Sequence, residues 1–299
     1  LQMIDTIRTD IVARHPESFF LATTAADIER ARKTGRMAAL IGVEGGHAIE
    51  DDLRVLRAFY ALGVRYITLT HTKDIGWAGS SAETTNAGLS PFGRQVIAEM
   101  NRLGMMIDIA HVSDKTFWDV IETSKSPIFS SHSSCRAISN IPRNMTDDMI
   151  RAVAKKGGVI QINFGCEFLS QKSADTSAWS NPAVAKEAAD ATLSITDPAQ
   201  RQVAIDKLLA AKQHQATIDD VVAHIDHVRT VAGIDAVGLG SDFDGVTCVP
   251  AGLEDVSKWP NLTRKLLEKG YAPADIRKIY GANLLRFMKA VEKAPARKP

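Results

Sequence analysis

Six short apolar runs, rich in strand-forming residues, recur along the 299-residue chain at 37–43, 66–70, 105–110, 127–131, 159–163 and 236–241. The stretches between them carry apolar residues at helical spacing, so the chain reads as successive βα units around a parallel sheet. Near-continuous apolarity within each run is what strands buried on both faces require.

The helices between the runs are punctuated. Leu53, Leu56 and Tyr60 fall on one face, and Gly63 stands where a helix C-terminus favours a left-handed residue. Ser90 before Pro91 predicts an N-cap followed by proline at the first helical position, and Ser113 and Thr146 are expected to open helices as caps. Gly104, Gly157 and Gly233 precede strands. Pro273 starts a last helix carrying Ile276, Ile279, Tyr280, Leu284 and Phe287, and the basic tail 294–299 is expected to fray. Residues 164–217, rich in Ala, Ser, Asp and Gln, predict an inserted helical excursion, readable as a lid or as solvated decoration.

Composition narrows the partners. With 36 Lys plus Arg against 35 Asp plus Glu and no basic stripe, nothing electrostatic favours nucleic acid. The 45% apolar content supplies ample core, and one domain over 1–299 is expected. No apolar run approaches the roughly 18–20 residues of a membrane span, so no transmembrane segment is expected. No signal-peptide pattern opens the sequence, which begins at Leu1. Cys135, Cys166 and Cys248 are odd in number and widely spaced, which predicts neither a disulfide framework nor a thiolate metal site.

What ends each run carries the chemistry. Glu44, His71, His111, His132 and Asp242 close five of the six strands. In a closed parallel barrel such strand ends face one rim, where active sites of that architecture lie. Two imidazoles and a carboxylate suit zinc or a similar borderline metal. A bound metal lowers the pKa of water to roughly 7, so metal-bound hydroxide is the expected nucleophile. No serine occupies a GxSxG elbow. His15, His214, His224 and His227 lie on helical or loop stretches and are expected to be solvated; His47 stays undecided.

The segments Gly42-Val-Glu-Gly-Gly-His47, Tyr66-Ile-Thr-Leu-Thr-His71, Asp108-Ile-Ala-His-Val-Ser113, Ser130-Ser-His-Ser-Ser134 and Gly240-Ser-Asp-Phe-Asp-Gly245 resemble, in order and spacing, those of the membrane (renal) dipeptidase family of zinc peptidases. The resemblance implies an α/β, (β/α)8 TIM-barrel metallohydrolase with a two-zinc centre that hydrolyses dipeptides, commonly as a homodimer. It implies Glu44 as the carboxylate bridging two metals, His111 and His132 as imidazole ligands, and His71 as the group polarising the scissile carbonyl. It further implies Arg143 as the fork for the substrate's terminal carboxylate and Asp242 as the acid/base group. One departure stands out: the family's His-x-Asp pair, which holds the other metal at the end of the first strand, has no counterpart upstream of Glu44. The chain's one His-x-Asp, His224 to Asp226, falls in a helical stretch. With six strands where a closed barrel needs eight, the first two strands are expected to be missing, and residues 1–36 read as the helix and loop after them. Two rival readings are another metal-dependent amidohydrolase, acting on a lactam, lactone or N-acyl amino acid, and a non-catalytic barrel holding one metal.

Overall fold

A computed structural model describes residues 1–293, so the expected fraying of the tail at 294–299 lies outside the described residues. The chain divides into two compact units: Leu1–Ser131 with Arg151–Val159 and the stretch from Gly281, and His132–Ile150 with Ile160–Tyr280. No helix among the described residues is long and apolar enough to cross a membrane.

In the first unit, β1 (Phe19–Leu21) and β2 (Met37–Ala39) form a two-stranded parallel sheet. Then β3 (Ile41–Glu44), β4 (Val64–Thr68), β5 (Met106–Asp108) and β6 (Phe129–Ser130) lie side by side in chain order, all parallel. Their register aligns Glu44 with Thr68, Thr68 with Asp108, and Asp108 with Phe129, so the strands end at a common level. The helix Asn283–Lys293 packs Phe287, Met288 and Val291 against Met106, Phe129 and Val159.

Two expectations need correction here. The apolar run at 37–43 is divided between β2 and β3, which belong to different sheets. The pairing of β3 with β4 shifts between Ile41 and Gly42, where a Cβ on Gly42 would stand 2.1 Å from the Tyr66 ring. Backbone and ring can meet there only because the position is glycine. Residues 1–36 also contain a strand, β1, besides their helices, and it is too short for periodicity to reveal.

The punctuation is as expected. Ser90 Oγ accepts the Gly93 N–H at 3.2 Å, Ser113 Oγ the Thr116 N–H at 3.0 Å, and Thr146 Oγ1 the Met149 N–H at 3.3 Å. The last helix is in fact broken. Pro273–Arg277 and Asn283–Lys293 are separated at Gly281, whose φ of 143° no helix accommodates.

In the second unit, Ile160–Ile162 of β7 (Val159–Ile162) pair in parallel with β8 (Val237–Leu239). Backbone bonds from Gly240 N–H to Ile162 O and from Phe164 N–H to Ser241 O carry the pairing past the strand ends. The expected excursion is helical: Cys166–Leu169, Gln171–Thr176, Pro182–Ala191 and Pro198–Lys212. Against expectation, Cys166 and Cys248 form a disulfide, with their Cα atoms 5.4 Å apart across 82 residues of sequence. The reason is topological. Neighbouring strands β7 and β8 deliver the following loops side by side, and Cys166 N–H donates to Cys248 O at 3.1 Å.

His224 is also corrected: it is fully buried. Its Nδ1 accepts the Cys135 N–H at 3.0 Å and its Nε2 lies 3.0 Å from Leu169 O, which fixes a neutral ring carrying its proton on Nε2. Burial pushes its pKa down to about 4. A depressed histidine favours folding while neutral, so this contribution is complete above pH ~6.5 and lost as pH falls toward the folded value. Urea titrations should show wild type losing on the order of 3 kcal/mol more than His224→Gln between pH 7 and 4.5. Equal losses in the two proteins would contradict the assignment. His15 is exposed as expected, whereas His214 and His227 are half-buried and His227 pairs with Asp147.

Candidate functional site

The common level of the strand ends in the first unit brings three of the expected site residues together. Glu44, His71 and His111 each offer one ligand atom, all within 4.8 Å of one another. Glu44 Oε1 lies 2.9 Å from His111 Nε2, and the two imidazole rings are 4.6 Å apart, centroid to centroid. His111 is buried and the other two are exposed, so the cluster is anchored on one side and open on the other.

Backbone hydrogen bonds hold these side chains in place. His111 adopts a left-handed φ of 66°, uncommon for a residue with a Cβ, and its carbonyl accepts from Thr70 Oγ1 at 3.0 Å and Ser81 N–H at 2.8 Å. The carbonyl of His71 accepts from Ser80 Oγ at 2.5 Å. Asp108 ties three strand ends together. Fully buried, it accepts from Thr68 Oγ1 at 2.6 Å, from the Ala110 N–H at 3.0 Å, and from both the backbone and hydroxyl of Ser131 at 2.8 and 2.5 Å. Its role was missed in the sequence, although an acid inside an apolar strand run is a readable signal, because such a group must find partners when buried.

The second unit places the remaining expected residues. His132 and Arg143 are buried. Arg143 Nη2 donates to His132 O at 3.2 Å and Nη1 to Ser133 Oγ at 3.4 Å, while the guanidinium carbon stands 5.1 Å from the Phe168 ring centroid. Phe168 stacks in turn on the half-exposed Trp179 at 5.4 Å. Asp242, with a left-handed φ of 61°, accepts from Asn163 Nδ2 at 2.9 Å. Burial raises the Glu167 carboxyl above its ordinary value, with the Asp242 charge acting in the same direction and Arg143 opposing it. The His-x-Asp of the helix Ile218–Ala232 is committed elsewhere: His224 as described, and Asp226 to the Tyr271 hydroxyl at 2.6 Å and Lys269 Nζ at 2.7 Å.

Two imidazoles and one carboxylate on neighbouring strand ends match the donor set that zinc takes, and the spread of ligand atoms in the first-unit cluster fits a single cation. His71, assigned to the substrate by resemblance, stands close enough to serve the same ion.

The family model for membrane dipeptidase, peptidase family M19, matches residues 1–299. The chain belongs to the membrane dipeptidase family. It is 37% identical over 297 residues to an uncharacterized dipeptidase of Schizosaccharomyces pombe, covering 98% of this chain and 62% of that relative's length. Its fold matches the crystal structure of the probable dipeptidase PvdM from Pseudomonas aeruginosa with a TM-score of 0.83 and 29% identity, over 97% of this chain and 78% of that one. A metallopeptidase from Rhodobacter sphaeroides, bound to a phosphinate mimic of the dipeptide L-Ala-D-Ala, matches with a TM-score of 0.74 and 27% identity, over 91% and 69% of the two chains. The fold is thus the α/β, TIM-barrel type of the M19 dipeptidases.

Proposed function

We propose that this chain carries the reaction residues of a zinc-dependent dipeptidase that hydrolyses the peptide bond of dipeptides. The observation that carries the reading is the convergence of Glu44, His71 and His111, in a chain whose whole length matches the M19 family. Glu44, His111 and His132 are the assigned metal ligands, with two zinc ions in the complete centre. A bound divalent metal supplies Lewis acidity, which makes water a competent nucleophile at neutral pH. His71 stabilises negative charge developing on the carbonyl oxygen, a service needed only in the transition state. Asp242 takes the proton of the attacking water and returns it to the leaving amine as the C–N bond breaks. A homodimer is the assembly this reading implies.

Arg143 measures chain length. Its guanidinium is buried, fixed by His132 O and Ser133 Oγ and backed by an aromatic ring, so it is oriented before substrate arrives. A planar fork matches the two oxygens of a terminal carboxylate, and a longer peptide would present an uncharged amide instead. Arg143→Ala should raise KM for dipeptides roughly a hundredfold, in line with loss of a charge-assisted pair. An unchanged KM would favour a lactonase or lactamase, which needs no such fork.

The reading as a whole is tested by zinc-loaded protein on a dipeptide panel. Hydrolysis that disappears in His132→Ala supports it; a rate unaffected by that substitution, or no turnover, rejects it.

A further inference from the structure

The carboxylate of Asp242 is held by a neighbour to which the reaction gives no role. Asn163, just beyond β7, is fully buried, and its amide nitrogen donates to Asp242 Oδ2 at 2.9 Å. The amide cannot be reversed. Its Oδ1 accepts the Gly165 N–H at 2.5 Å, so a flip would set donor against donor and oxygen against carboxylate. The Asn163 carbonyl is itself engaged by Ser134 Oγ at 3.3 Å. From another direction, a Cβ on Gly245 would stand 2.2 Å from Asp242 Oδ1, so the carboxylate lies directly over bare backbone, and Gly245 N–H donates to Asp242 O at 3.0 Å. Asp242 sits between these contacts in a left-handed conformation, uncommon for a residue with a Cβ. Such a conformation persists only where its surroundings over-determine it.

We propose that Asn163 is a positioning residue for Asp242, occupying Oδ2 so that Oδ1 is the oxygen that accepts and returns the proton. Asn163 neither gains nor loses a proton: one proton passes from water to Asp242 and on to the leaving amine, while a C–O bond forms and the C–N bond breaks. The amide removes the carboxylate's freedom to turn, and the benefit appears only in the step that Asp242 performs. This inference rests on the reading of Asp242 as the acid/base group.

The test is a double-mutant cycle on the zinc-loaded full chain with a dipeptide substrate. Asn163→Ala should lower kcat about 10- to 100-fold while KM stays within about twofold. In an Asp242→Ala background the same change should alter kcat by less than about twofold, because nothing is left to position. Since Asn163→Ala also strands the Gly165 N–H, Gly245→Ala serves as a second variant. It displaces the same carboxylate with Asn163 intact and should show the same split. A readout independent of turnover is the side-chain amide resonance of Asn163 by NMR, expected to move on Asp242→Ala.

An Asn163→Ala loss that is equally large in both backgrounds marks a structural role and overturns the proposal. So does wild-type kcat in Asn163→Ala when Asp242→Ala is strongly slowed, an outcome that leaves the functional reading standing. An amide resonance unmoved by Asp242→Ala overturns it too. Full activity in Asp242→Ala, or a wild-type chain without turnover, overturns the functional reading and this inference together.

Discussion

Glu44→Gln should bind zinc at least about a thousandfold more weakly than the unaltered chain, and dipeptide turnover should fall in parallel. Loss of an outer-shell partner typically costs a metal site 10- to 100-fold, and removing a direct ligand with its charge costs more. Glutamine keeps the size and shape of the side chain, so the effect isolates the charge. The Glu44 side chain is 46% exposed and belongs to no apolar core, so the fold should survive the change. The paired measurements are zinc per chain by mass spectrometry and affinity by chelator competition, with circular dichroism to confirm folding. His111→Gln should behave alike, since Glu44 Oε1 and His111 Nε2 face each other at 2.9 Å. His15→Ala, at an exposed position, should bind zinc as the parent does. Zinc content unchanged in both Glu44→Gln and His111→Gln would remove the metal cluster from the account.

The cluster was legible in the sequence because a parallel sheet converts a one-dimensional pattern into a three-dimensional one. Strands that pair in register end at one level: Glu44 stands level with Thr68 and Thr68 with Asp108, and His71 and His111 each follow three residues beyond those paired ends. Local rules also placed the caps at Ser90, Ser113 and Thr146, since a cap is decided within four residues of chain. What escaped was decided elsewhere. The close approach of Gly42 to the Tyr66 ring, where the β3–β4 register shifts, and the seating of His224 on the backbone of Cys135 and Leu169 are long-range contacts that no local period announces. Asn163 was visible in a different way. It closes the one apolar run that lacks an acid or histidine at its end, and the structure shows it bonded to the acid at the end of the adjacent strand.

Cys166→Ser, Cys248→Ser or a dithiol reductant should lower the unfolding free energy by about 4 kcal/mol. The bond closes a loop of 82 residues, and the chain entropy withheld from the unfolded state by a closure of that length amounts to about 4–5 kcal/mol before any strain in the native state. Urea midpoints with and without dithiothreitol measure the effect directly, and the Cys166→Ser/Cys248→Ser double variant should be insensitive to reductant. A wild-type midpoint indifferent to reductant, with two further free thiols by mass, would show that the bond does not form. Exchange with the third cysteine does not compete. Cys135 is fully buried, and burial pushes its thiol well above its ordinary value, so the thiolate that attacks disulfides is scarce. Stability is one consequence; geometry is the other. Cys166 lies three residues after Asn163 and Cys248 six after Asp242, so the covalent tie joins the two loops whose side chains meet in the Asn163–Asp242 hydrogen bond. Opening it should therefore lower kcat before the fold is lost, at reductant and urea concentrations where circular dichroism is still native.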